Sequence, residues 1–162
     1  MSTSQIVLAV AAAVLVFWAI GGYNRMVALR NGISVAWARV EEELVRRHGV
    51  ALQLVDAVRG EMTGETALLD SVIAASSQAA AAAQAVFDAV AGRLFASIEG
   101  SEVLRARADV AAALHGWREA EAGIGFARQG FNEAVQRYNA AAQLFPTRIL
   151  SWVFGFTTAG VW

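Results

Sequence analysis

From Ile6 to Ile20 the chain carries no charge and no polar side-chain group beyond the indole N–H of Trp18. Coiled as a helix, that run is roughly 22 Å long, short of a hydrocarbon core of ~30 Å. Gly21, Gly22 and Tyr23 lengthen it, and Ser2 to Gln5 fit the opposite headgroup layer. Its nine large apolar residues favour insertion by about 3–5 kcal/mol on a translocon scale. Residues 1–23 are therefore predicted to form a transmembrane anchor, with Trp18 and Tyr23 at the membrane interface. A cleaved signal peptide is the competing reading, but the charged n-region and a small-x-small cleavage site are both missing.

Beyond residue 23 the apolar positions recur in steps of three and four, the period of a helix–helix seam or coiled coil. One line runs through Met26, Arg30, Ile33, Trp37, Val40, Leu44, Arg47, Ala51, Leu54 and Val58, with Gly60 and Gly64 bracketing the turn after it. A second helix is expected from Glu65 to Phe95, either unbroken or bent near Gln84. Within it the alanines from Ala79 to Ala83 let neighbouring backbones approach. Gly100 and Ser101 read as a helix stop and a fresh N-cap. The last long helix carries Val103, Val110, Leu114, Trp117, Glu121, Ile124, Arg128, Phe131, Val135, Tyr138, Ala142 and Phe145, and Pro146 ends it. The pattern predicts an all-α chain: a transmembrane helix continuing into an antiparallel bundle of three to four long helices over residues 24–146. An apolar segment, 147–162, follows. There Ile149, Leu150, Trp152, Val153, Phe154 and Phe156 either dock on the bundle end or lie in the membrane interface.

Composition changes this picture little. The 57% hydrophobic and 17% charged residues exceed and undershoot soluble norms, reflecting the anchor and the alanines. A net charge of -1 supplies no basic field for nucleic acid. Every Lys/Arg-type cation is arginine, which we read as codon bias, and the absence of cysteine excludes disulfides and thiolate metal sites. Arginine placement does carry information. No basic residue precedes the anchor, whereas Arg25, Arg30, Arg39, Arg46 and Arg47 follow it, so the positive-inside rule puts the C-terminal domain in the cytoplasm and the N-terminus outside.

Several blocks together resemble the LemA family. They are Tyr23-Asn24, Leu29-Arg30-Asn31, Ala36-Trp37-Ala38 and Arg46-Arg47 in the first half. In the second half they are Glu121, Ile124, Ala127-Arg128, Phe131-Asn132, Val135, Tyr138-Asn139, Phe145-Pro146 and Phe154-Gly155-Phe156. The likeness spans Tyr23 to Phe156. It departs at Gly49, where the family usually has an acidic residue, at Val50 to Leu54, and around Gly100 and Ser101. The resemblance implies a bacterial inner-membrane protein with one spanning helix and an antiparallel bundle. It implies no agreed activity; some relatives are associated with the organisation of internal membranes.

Candidate chemistry is sparse. His48 and His115 have no second His or Cys at helical spacing, so no metal site is expected. Glu41, Glu42 and Glu43 lack the Glu-x-x-His partners of a di-metal bundle and read as a solvated face. No phosphate loop, nucleophile elbow or dinucleotide fingerprint occurs. Gly123-Ile124-Gly125 falls in a helical pattern, where glycine permits close packing. Arg30, Arg47, Glu121 and Arg128 each stand on a seam line where an apolar residue is expected. They either lie at the seam edge and reach solvent, or form a polar layer that fixes register. Antiparallel neighbours at equal height have numbers summing to roughly 169. That places Arg47 opposite Glu121 and Arg128 beside the Glu41 to Glu43 run.

These features point to a non-enzymatic, cofactor-free membrane scaffold with the lipid bilayer and further copies of itself as partners. The alternative is a regulatory adaptor for another membrane protein, such as a sensor kinase or protease.

Overall fold

The computed structural model describes residues 2–77, 81–144 and 147–162, with the side chains of 81–83, 147, 150 and 151 left aside. Phe145 and Pro146 lie outside the described residues, as do Ala79 and Ala80 of the alanine run. Every regular element among the described residues is helical. Helix α1 runs without interruption from Thr3 to Val58, 56 residues or about 84 Å. No proline interrupts it, and the space around Gly21, Gly32 and Gly49 is open. Its N-terminal 18-residue window has a mean hydropathy of 2.3, and none of that window is buried within the protein.

After a turn, a single 3-10 turn (Thr63–Glu65) leads into α2 (Thr66–Ser76) and α3 (Ala81–Gly100). The expected second helix is thus two helices, and α2 stops at Ser76, several residues before the bend expected near Gln84. Gly100 closes α3, and the Ser101 hydroxyl accepts from the Leu104 N–H at 3.4 Å, the N-cap the sequence implies. The helix it caps, α4 (Glu102–Arg105), is one turn long, so Val103 lies outside the last long helix, α5 (Ala108–Gln143). A short α6 (Thr147–Phe154) follows, and Gly155, at φ +68°, turns the chain into an extended tail.

The chain forms two compact units that do not follow chain order. Unit 1 comprises Met1–Val40 and Phe126–Trp162; unit 2 is Glu41–Gly125. In unit 2, Leu54, Val55 and Val58 of α1, Leu69 and Val72 of α2, and Phe87, Leu94 and Ile98 of α3 close one core with Leu104 and Val110. Each such side chain contributes about 1.5–3 kcal/mol by leaving water. Unit 1 is held by a smaller cluster in which Met26 of α1 packs on Tyr138, Ala141 and Ala142 of α5, flanked by Leu29, Ile33 and Phe156. Within each unit α1 and α5 run antiparallel. Arg47 lies level with Glu121 in unit 2, and Trp37 with Phe131 in unit 1.

Charge separates along the same division. Unit 1 has six arginines against Glu133 alone, whereas unit 2 has seven arginines against thirteen carboxylates.

Candidate functional site

In unit 2 the one buried charged side chain among the described residues is Arg47, 6% exposed. Its seam position on α1 turns it inward, where three helices meet. Nη1 bonds Glu121 Oε1 of α5 at 2.8 Å, and Nη2 bonds both Gln84 Oε1 and Asp88 Oδ1 of α3 at 2.8 Å. The guanidinium also lies 5.1 Å from the Phe87 ring centroid and 5.6 Å from that of Trp117. A planar cation with several fixed donors suits such a node, whereas lysine offers a single point charge. Both carboxylates keep about half their surface in water, which lowers the desolvation cost of the pairs and their strength together.

His48 stands beside this node, its ring edge-on to Phe87 with centroids 4.3 Å apart. Burial holds its pKa below the usual histidine value. The Arg47 charge adds to that effect and Asp88 opposes it. His115 is exposed and lies 3.7 Å from Glu119, which also takes Arg46 at 3.2 Å. No group of three or more metal-ligating side chains occurs among the described residues. The space at Gly123 is filled by a side chain, not a backbone: a Cβ there would lie 2.5 Å from Glu43 Oε2.

In unit 1 the polar side chains of α5 hold the C-terminal tail. Asn139 donates from Nδ2 to the Ala159 carbonyl and accepts the Ala159 N–H at Oδ1, both at 2.9 Å. Asn132 repeats the arrangement on Trp162, again at 2.9 Å in each direction. Seven residues of helix and three of extended chain each cover roughly 10 Å, so the two amides match the tail's own spacing. Next to Asn139, Tyr138 donates its hydroxyl to the Thr157 carbonyl at 2.9 Å, before the first clamp on the tail. Arg128 donates from Nε to the Trp162 carbonyl at 3.0 Å and stacks on its ring, which also packs against Trp37. Arg128 thus has a partner that the sequence reading, which pointed it toward Glu41 to Glu43, did not supply.

A family sequence model matches residues 36–162. The chain belongs to the LemA family. No curated protein sequence gives a significant match. The LemA match starts at Ala36, so the Tyr23-Asn24 and Leu29-Arg30-Asn31 blocks precede it, and it extends past Phe156 through the tail.

Within the LemA frame, Trp37, Tyr138 and Asn139 converge on unit 1 and Arg47 and Glu121 on unit 2. Asn24 and Asn31 are exposed and join neither group. Of the residues assigned to the membrane interface, Tyr23 and Phe154 come together with ring centroids 5.0 Å apart, while Trp18 and Trp152 remain exposed. Arg30 joins none of the ion pairs of the polar layer; it lines a cavity under the tail. The tail-holding role of Asn132 and Asn139 was not read from the sequence. Its signal was there: an aromatic followed by asparagine, Phe131-Asn132 and Tyr138-Asn139, repeated seven residues apart on one helix face.

Proposed function

We propose that this LemA-family chain is a membrane-anchored, non-catalytic helical scaffold that self-associates in a bacterial inner membrane. The observation that carries the reading is the apolar end of α1. Leu8 and Phe17 are 73% and 75% exposed, Val7, Val10, Val14, Leu15 and Val16 all exceed half exposure, and Ile6 reaches half. A continuous apolar surface of this length is costly in water and satisfied by lipid. Ala9, Ala11, Ala12 and Ala13 on the same stretch let two such helices approach closely, which favours association of copies. The arginines that follow the apolar run favour a cytoplasmic location for the rest of the chain.

Carbonate extraction followed by cross-linking in native membranes tests this reading. The chain is expected to stay with the membrane and to give discrete cross-linked multimers. Monomer alone at native expression would remove the scaffold and favour the adaptor. Orientation is tested separately by a reporter fused after Trp162, expected to be active only as a cytoplasmic reporter.

A further inference from the structure

We propose that unit 1 carries a binding site for one anionic phospholipid, where the apolar run of α1 gives way to Arg30. The proposal deepens the reading of α1 as a membrane anchor and rests on it.

Two recesses adjoin on this part of unit 1. The first, of about 220 Å³, is wholly apolar and lined by Ala19, Ile20, Tyr23 and Phe154. The second, of about 260 Å³, is polar, with Arg30 and Ser34 on α1, Tyr138 on α5, and Thr157 and Thr158 on the tail. Ile20, Tyr23, Arg30 and Ser34 are spaced three, seven and four residues apart and so share one face of α1. Phe154 lines the first recess and Phe156 the second, and both rings pack on Tyr23 at 5.0 and 5.9 Å. The recesses are therefore neighbours along a helix rising roughly 10 Å between Tyr23 and Arg30.

That order is the order of groups in a phospholipid. Side chains on an α-helix lean toward its N-terminus, so Arg30 leans back toward the apolar run, as a snorkelling arginine does beneath a headgroup. The guanidinium meets a phosphodiester, the Ser34, Thr157 and Thr158 hydroxyls donate to its oxygens, and an acyl chain lies over Ile20 and Tyr23. Nothing acidic competes. No carboxylate pairs with Arg30 among the described residues, and the first acidic residue in the chain is Glu41. The excess of arginine in unit 1 attracts anionic lipid in the same sense. A free phosphate would use Arg30 but leave the apolar recess idle, which is why a lipid is the better fit.

The test is native mass spectrometry of the full chain, delipidated in detergent and offered phosphatidylglycerol, phosphatidylcholine or inorganic phosphate. Phosphatidylglycerol should be retained over phosphatidylcholine, and Arg30→Gln should weaken it by about fivefold. Arg118→Gln, an exposed change in unit 2 that lines neither recess, should leave retention unchanged. Thermal melting of each variant separates loss of the site from loss of the fold, and Thr158→Val provides a second, milder lesion. Equal retention of the two lipids, or an Arg30→Gln chain that binds like the parent, would overturn the proposal. Displacement of phosphatidylglycerol by millimolar phosphate would do so too, and would indicate a free-anion site. A chain absent from the membrane fraction sinks the anchor itself. One present there but indifferent to headgroup charge sinks only this site.

Discussion

Arg47 and Glu121, separated by 74 positions in the chain, close a 2.8 Å ion pair that fixes the height of α1 against α5 in unit 2. Arg47 also serves α3 through Gln84 and Asp88, whereas Glu121, half exposed, serves Arg47 alone among the described residues. The two partners should therefore differ when removed. Arg47→Met strands three acceptors and should cost about 2–3 kcal/mol, Glu121→Leu under about 1. In a double-mutant cycle read by urea unfolding, the pair should couple by roughly 0.5–1 kcal/mol. Strict additivity would show that the pair does not set the register.

The two glycines of Gly123-Ile124-Gly125 should respond differently to alanine. Nothing lies within 4 Å of a Cβ at Gly125, so Gly125→Ala should stabilise by about 0.5–1 kcal/mol through helix propensity. At Gly123 the new methyl meets the Glu43 carboxylate, a mobile group that can swing aside but gives up its half-buried seat. Gly123→Ala should be near neutral. Thermal melting of both variants, with Glu43→Ala added to Gly123→Ala, checks the cause: the double variant should recover the gain seen at position 125.

Loss of the asparagine amides should free the tail without unfolding α5. Each amide makes two hydrogen bonds to the tail backbone, together worth about 1–3 kcal/mol. Hydrogen exchange at the Ala159 and Trp162 amides should accelerate strongly in Asn132→Ala/Asn139→Ala. Asn139→Asp, which keeps the acceptor but not the donor, should give an intermediate rate at Ala159. Unchanged exchange would mean the tail is held by its aromatic residues alone.

Stability should fall on the acid side through His48. Its pKa in the folded chain is below the unfolded value of 6.5, chiefly through burial, so the folded state binds its proton less readily. That contribution is complete above the unfolded value and is lost as pH falls through the lower folded one. The groups facing it, Arg47 and Asp88, act in opposite directions, with the burial effect larger than either. His48→Gln should flatten the stability profile below pH ~6.5 relative to the parent. A profile of identical shape in the two proteins would assign the acid limb to carboxylates elsewhere.

The parts of this architecture that follow from local rules were legible in the residues. The run Ile6 to Ile20 specifies an apolar helix, Ser101 specifies a cap, and the constant rise of two antiparallel helices brings Arg47 to Glu121. What was hidden depends on contacts between elements whose positions local rules do not supply. The stop of α2 at Ser76 falls in an alanine- and serine-rich stretch whose helix propensity is nearly uniform, so nothing marks one residue over its neighbours. Gln84 and Asp88 reach Arg47 only because α3 packs beside α1. Asn132 and Asn139 recognise backbone, and backbone leaves no trace in side-chain identity at Ala159 or Trp162.

The most direct measurement of the central claim is the mass of the intact chain extracted from its membrane in mild detergent, by native mass spectrometry at native expression. A chain that is anchored through α1 and self-associates should appear as one defined multimer with bound lipid. It should revert to monomer when Ala9, Ala11, Ala12 and Ala13 are replaced by leucine, which blocks close helix approach. A monomer in the unaltered protein, with or without lipid, would contradict the account.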